Sequence, residues 1–400
     1  MSTLRRTIVA LACSVVVAGL LPSAPAFADD PWPVPDPATI TITGDGYGHG
    51  KGLSQWGAQG AAEAGLGYRQ ILRFYYAGTG LGQAGGQVKV HITADDDNDL
   101  VVNDRRGLTA RDLSTGRTWK LEERGARRWR IRPVAGGNQI AYRTSRWHVW
   151  RAVKGDTEIA AGGAPVELRT PDGVVAYRGA LRSTMWDTGS SLQRVTVNVV
   201  PLDAYVKGVV PREVIASLWE VQALRAQAVA ARTYAVNERA TTNRIAFDLC
   251  DTAACQVYGG FTAEYPAWND AVVATARQVA TFQGEVIYAQ FSASNGGYTV
   301  ADPDCTYLTA KADPYDEAKG QYYGWTATLT DADVERQWPS IGNLLSISID
   351  ERDGNGGRGG RVLSLTLTGD RGAAYPTGED FRRRFGMRST MFEISDVQPG

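Results

Sequence analysis

Between residues 88 and 183 every apolar run is short and alternating, as in Val88-Lys89-Val90-His91-Ile92 and Trp147-His148-Val149-Trp150, and each is broken by Gly, Asp or Asn. Alternation with period two marks half-buried antiparallel strands. Arg194 to Val200 continues the pattern, with Val195, Val197 and Val199 alternating with polar residues before Pro201-Leu202-Asp203 turns the chain. Residues 211–240 then form the longest helical signal, 268–282 a second amphipathic helix, and strands return at Glu285 to Ala293, Leu345 to Asp350 and Arg361 to Thr368. Strands and helices in separate blocks, without regular βαβ alternation or an internal repeat, predict an α+β fold.

Near the N-terminus Ser54 is placed to cap a helix from Gln55 to Ala64 that Gly65 ends, and Tyr68 to Tyr76 reads as another. Before them, Gly44 to Gly52 carries glycine at alternate positions, which fits neither a phosphate loop nor a dinucleotide fingerprint. Arg5-Arg6, an apolar run from Ile8 to Leu21 and Ala26-Phe27-Ala28 have the order of a secretory signal, so residues 1–28 are expected to be removed. The run is shorter than the roughly 20 residues a membrane-spanning helix needs. The mature chain is therefore expected outside the cell, secreted or in the cell wall, with no transmembrane segment. Pro31, Pro33, Pro35 and Pro37 make residues 29–39 an extended spacer.

Removing residues 1–28 takes Arg5 and Arg6 and no acid, moving the formal charge from −1 to −3. A chain without basic excess is not expected to grip nucleic acid along its length, and any polyanion contact must be local. The Arg-rich run Arg124 to Arg132 fits a strand with one solvated face better than an anion-binding patch. With Cys13 in the signal, Cys250, Cys255 and Cys305 remain. Cys250 and Cys255 are spaced for a small disulfide loop, leaving Cys305 free or partner to one of them. Only His49, His91 and His148 could join them as metal ligands, so neither metal nor cofactor is expected.

Gly208-Val209-Val210-Pro211-Arg212-Glu213-Val214 is followed by Trp219 and the alanine-rich stretch Ala223 to Ala235. Pro211 suits a first helical position, which puts Glu213 in a first turn. Together with Asp248-Leu249-Cys250-Asp251, Gln256-Val257-Tyr258-Gly259-Gly260 and Ser292-Ala293-Ser294-Asn295-Gly296-Gly297-Tyr298-Thr299, these segments resemble the SpoIID/LytB family of cell-wall proteins. Gly46-Tyr47-Gly48-His49-Gly50-Lys51-Gly52-Leu53-Ser54-Gln55-Trp56-Gly57-Ala58 resembles that family's other signature. In sporulation members it follows the helix motif, whereas here it comes first. The order reads as a circular permutation in which the loop returns beside Glu213.

The resemblance implies a catalytic core at residues 40–84 and 186–395, with 85–185 as a β-rich inserted or accessory region. It also implies a lytic transglycosylase acting on peptidoglycan glycan strands, with Glu213 as general acid and base, or a non-catalytic enhancer of a cell-wall amidase. A general acid at a helix N-terminus needs burial, with Trp219 or Tyr258 nearby, to overcome the helix dipole. His49, Ser54, Gln55, Gln227, Arg232, Gln256, Tyr258, Ser292, Ser294 and Asn295 are the candidate substrate contacts. Each could instead be structural: Arg232 could pair with an internal acid and His49 could tie the loop backbone. The family's zinc is not carried over, since no histidine follows Arg151.

Overall fold

The computed structural model describes residues 29–214 and 219–400. The expected signal segment, with Cys13, lies outside the described residues. Helices and strands are both abundant, as the α+β reading requires. The main helices are α1 (Gln55–Glu63), α2 (Tyr68–Tyr75), α3 (Leu202–Glu213), α4 (Val221–Thr241), α5 (Pro266–Ala274) and α6 (Pro314–Lys319).

Two sheets build the larger core. One runs, in spatial order, Trp147–Val153, Gly137–Arg143, Arg128–Val134, Leu100–Asn103, Val166–Thr170 and Gly173–Tyr177. The other centres on Leu192–Pro201, which pairs antiparallel with Ala180–Asp187 on one side and Gln87–His91 on the other. Val88, Val90, Ile131, Leu168, Leu181 and Val200 from these strands join Val206, Val209, Leu224 and Val272 of the helices in one apolar cluster. The boundary expected at residue 185 thus falls inside a hairpin, and the β-rich region shares its core with the helices beyond it.

α4 has two apolar faces. Ala223, Ala226 and Ala230 pack against Ala58, Ala61, Ile71 and Leu72 of α1 and α2, while Leu224, Ala228, Ala231 and Ala235 join the sheet core. A helix with two apolar faces is packed between two cores, and alanine lets its neighbours approach closely.

The helical signal at 211–240 belongs to two helices. Pro201 occupies an N-cap, so Leu202 and Asp203 begin α3 where a turn is expected from the sequence, and Asp203 provides a first-turn acid. Pro211 falls in the last turn, where it withholds a hydrogen bond, and Val214 is already extended. Glu213 therefore closes a helix where the sequence places it in an opening turn. The signal at 268–282 also divides. Arg277 enters the left-handed region at φ 62°, and Gln278–Phe282 pairs as a strand with Gly80–Gln83. Of the strand expected from Glu285 to Ala293, only Glu285–Val286 and Phe291–Ser292 form.

Residues 29–39 are packed rather than a free spacer. Trp32–Pro33 pairs with Ser346 and Ile347, Val34 is buried, and the Asp29 carboxylate lies 2.9 Å from Arg352. Ala38–Gly44 is the central strand between Trp325–Thr330 and the C-terminal Phe392–Pro399. This strand carries the N-terminal chain into the C-terminal sheet and delivers the glycine loop that follows it.

Candidate active site

The glycine loop uses its alternating residues for their backbone. Gly46, Gly48, Gly50 and Gly52 all have positive φ, from 67° to 110°, which L side chains rarely adopt. A side chain at Gly48 would meet the Ser292 Cβ at 2.5 Å. So folded, the loop pairs Leu53–Ser54 with Phe291–Ser292 and bridges Tyr47 to Ser294. The Gly-His-Gly segment and the Ser-Ala-Ser-Asn segment become one wall.

That wall faces Glu213 across a cavity of about 550 Å³. His49, Gln55 and Ser292 line it, as do Arg212, Val257 and the Ala253-Ala254-Cys255 segment of the disulfide loop. Cys250 and Cys255 are bonded, with Cα atoms 5.5 Å apart, and Cys305 is free. Two tyrosine pairs complete the lining: Tyr234 stacked on Tyr288 at 5.3 Å and Tyr47 edge-on to Tyr322 at 5.2 Å. Aromatic rings with hydroxyl tips suit faces that are part apolar and part polar, as sugars are.

Glu213 is half-buried and is the one carboxylate among the described residues lining the cavity. Its Oε1 accepts the Val257 N–H at 2.8 Å and its Oε2 the Gln55 Nε2 at 3.4 Å. Burial raises its pKa above the usual glutamate value against those two hydrogen bonds. Its place at the C-terminal end of α3 reverses the conflict expected from a first-turn position. The dipole there disfavours negative charge and acts in the same direction as burial. His49 meets solvent through the cavity, and its Nδ1 accepts the Lys51 N–H at 3.0 Å. Desolvation of the ring, with the Arg361 and Lys51 charges, lowers its pKa to about 4, so it is neutral at neutral pH.

The other expected contacts lie outside the cavity lining. Ser54 caps α1 through the Gly57 N–H and donates to Asp316 Oδ1 at 2.7 Å. Ser294 donates to Asp316 Oδ2 at 2.8 Å, and the Asn295 amide to Asp313 at 2.7 Å. Arg232 is fully buried, 2.7 Å from Asp203, with three carbonyls as further partners. Tyr258 is buried, donates to Asn198 and packs on Tyr205. Gln256 accepts from Tyr205, and Gln227 is buried with neither amide atom bonded among the described residues. These seven do not line the cavity. Neither Trp219, packed on Trp56 at 5.4 Å, nor Tyr258 is part of the lining around Glu213.

Sequence reasoning missed Tyr47, Arg212, Tyr234, Tyr288, Gln290 and Tyr322 as lining residues. Tyr47, Arg212 and Tyr234 sit within the segments that carry the resemblance, and Gln290 lies two residues before Ser292. Nothing local in the sequence distinguishes Tyr288 or Tyr322.

Comparison with known proteins finds relatives for part of the chain. Residues 191–282 match the family model "SpoIID: Stage II sporulation protein". The chain is 42% identical to the amidase enhancer of Bacillus subtilis over 134 residues, which are 31% of this chain and 17% of that protein. It is 41% identical to an uncharacterised protein of Brachyspira hyodysenteriae over 106 residues, 26% of this chain and 28% of that protein. It is 27% identical to the stage II sporulation protein D of Bacillus subtilis over 262 residues, 59% of this chain and 69% of that protein. The chain thus spans less than a third of the first two relatives. No solved structure gives a significant match. The segment matched by the SpoIID family model, residues 191–282, holds α3, Glu213, α4 and the disulfide loop.

Proposed function

We propose that the protein is an exported lytic transglycosylase that cleaves the glycan strand of peptidoglycan, with Glu213 as its general acid and base. The observation that carries this reading is a single carboxylate of raised pKa on the wall of a sugar-sized, tyrosine-lined cavity. Ordinary glycosidases need two carboxylates, the second to act as nucleophile or to activate water. A transglycosylase of this kind needs one. The Glu213 carboxyl gives its proton to the glycosidic oxygen as the bond to the muramic anomeric carbon breaks. The C6 hydroxyl of the same sugar bonds to that carbon and loses its proton to the Glu213 carboxylate. The products are a shortened strand with a free hydroxyl and a 1,6-anhydro end, and Glu213 is again protonated.

Val257 and Gln55 orient the carboxylate, and their two hydrogen bonds oppose its raised pKa without cancelling it. The Arg212 side chain at the cavity has no acidic partner among the described residues and is available to a carboxylate on the substrate. The 42% identity to the amidase enhancer favours a second reading, in which the cavity binds glycan and a separate amidase cuts the wall. Purified protein incubated with intact and with peptide-stripped glycan, followed by mass spectrometry, separates the two. Anhydro ends from the wild type and none from Glu213→Gln support the transglycosylase. Bound but uncut glycan with both proteins supports the enhancer. Reducing ends would point instead to water as the nucleophile.

A further inference from the structure

Residues 124–155 contain nine Lys and Arg and no Asp or Glu, in a chain whose overall formal charge is −1. Four of them, Arg128, Arg130, Arg132 and Arg143, share one face of the six-stranded sheet. Trp129 and Ile131 point into the core, so Arg128, Arg130 and Arg132 project from the opposite side of the same strand. Trp147, Arg143, Arg128 and Asn103 lie in register across four neighbouring strands. Arg169, on the next strand, donates to Asn103 at 3.3 Å.

Like charges directly opposite each other in a sheet are destabilising, yet Arg128 faces Arg143. Partial desolvation and the Arg169 and Arg143 charges lower the Arg128 pKa. Among the described residues no carboxylate is paired with Arg128 or Arg143, and Glu167 on the same face accepts from Asn103 at 2.7 Å. Among the described residues, Arg130 alone in the run is paired with an acid, Asp99 at 3.3 Å. Arg130 and Arg143 also lie over the Trp147 ring, at 4.3 and 5.8 Å, which holds their guanidinium groups along the face. Beside the row, Arg127, Arg128 and Arg143 with Thr144 and Ser145 enclose a recess of about 210 Å³.

We propose that this face binds a phosphodiester-linked anionic polymer of the cell wall, with one phosphate seated among Arg127, Arg128 and Arg143. Guanidinium forks match phosphate oxygens bidentately. A polymer with one permanent charge per repeat answers a row of cations spread across several strands, and its ionisation does not depend on pH in the way a carboxylate's does. The choice of a wall polymer rests on the proposed cell-wall function, whereas the arginine face does not.

The test measures binding of the full mature chain to poly(glycerol phosphate) over a salt series, with dextran, polygalacturonate and duplex DNA alongside. Poly(glycerol phosphate) should bind best, and its affinity should fall with salt as counterions are released. Arg128→Gln/Arg143→Gln should lower that affinity about ten-fold or more and reduce the log–log salt slope by about 2. Arg128→Lys/Arg143→Lys should keep the slope while losing affinity to a lesser degree. The Gln variant should unfold no earlier than wild type, because it removes a like-charge pair. Unchanged binding by the Gln variant, or equal binding of dextran, overturns the site. Tighter binding of polygalacturonate or DNA overturns the phosphodiester polymer as its occupant. Glu213→Gln should bind the polymer as wild type does, so failure of the cleavage reading and failure of this one are read separately.

Discussion

Glu213 and Asp316 are two shielded carboxylates reached by adjacent residues, Gln55 and Ser54, and they differ in how completely they are hydrogen-bonded. Asp316 accepts from Ser54, Ser294 and the N–H groups of Gly296 and Gly297 at 2.7 to 3.1 Å, and it is nearly inaccessible. Glu213 has one short bond and one long one, and it faces open volume. Burial raises both pKa values. The difference teaches that a raised pKa does not by itself mark a reacting group. An acid with unused lone pairs beside a cavity can exchange a proton with a ligand, while one saturated by its own fold holds loops together.

The largest effect expected from this contrast is on cleavage. Glu213→Gln should lower release of anhydro-muropeptides by about 10²- to 10⁴-fold while leaving denaturant unfolding intact. Ionised Glu213 opposes folding, since its folded pKa lies above its unfolded one. Its contribution to stability is full below the unfolded pKa and declines as pH rises through the folded value. Glu213→Gln removes that decline, so the variant should be at least as stable as wild type at neutral pH. Asp316→Ala should do the opposite. It removes the buried acceptor of the Ser54 and Ser294 hydroxyls and one of two acceptors of the Gly296 and Gly297 N–H groups, which should cost roughly 2–3 kcal/mol in denaturant unfolding. If Asp316→Ala unfolds like wild type and loses cleavage as fully as Glu213→Gln, the division between the two carboxylates fails.

The pH profile sharpens the same comparison. Glu213 must be protonated to act first as an acid, so kcat/KM should fall as pH rises through its raised pKa. His49, at about 4, should add no limb in the neutral range. A profile rising toward alkaline pH would remove Glu213 from the acid role.

How much of this was legible in the sequence follows the range of the interactions involved. The Ser54 cap on α1 spans three residues and was readable, as were α2 and the alternating strands. Resemblance singles out Glu213, which lies on the cavity wall, and the spacing of Cys250 and Cys255 suggests the bond they form. The helix containing Glu213 was misdrawn because Pro201 and Pro211 each suit a helix start, and only packing selects between them. Ser54, Ser294 and Asn295 looked like sugar contacts because their partners, Asp313 and Asp316, lie outside the motif segments. The Ser54 to Asp316 bond joins residues 262 apart, and no local pattern announces such a pairing. Arg232 is the same case, with Asp203 29 residues away on another helix.

The smallest effect expected separates Ser54 from Ser292, two serines in register on paired strands. The Ser54 hydroxyl caps α1 and donates to Asp316, so Ser54→Ala should cost about 1–2 kcal/mol of stability. The Ser292 hydroxyl is buried without a partner among the described residues while its residue lines the cavity. Removing an unpaired hydroxyl breaks no bond within the fold, so Ser292→Ala should leave denaturant unfolding unchanged. If that hydroxyl bonds a substrate group instead, its loss should weaken glycan binding by roughly 1 kcal/mol, or several-fold in KM. A several-fold rise in KM for Ser292→Ala, with unfolding unchanged, would place the boundary between scaffold and substrate contact along the strand pair itself. Equal loss of stability in both variants would show that Ser292 belongs to the scaffold, and that the cavity wall begins beyond it.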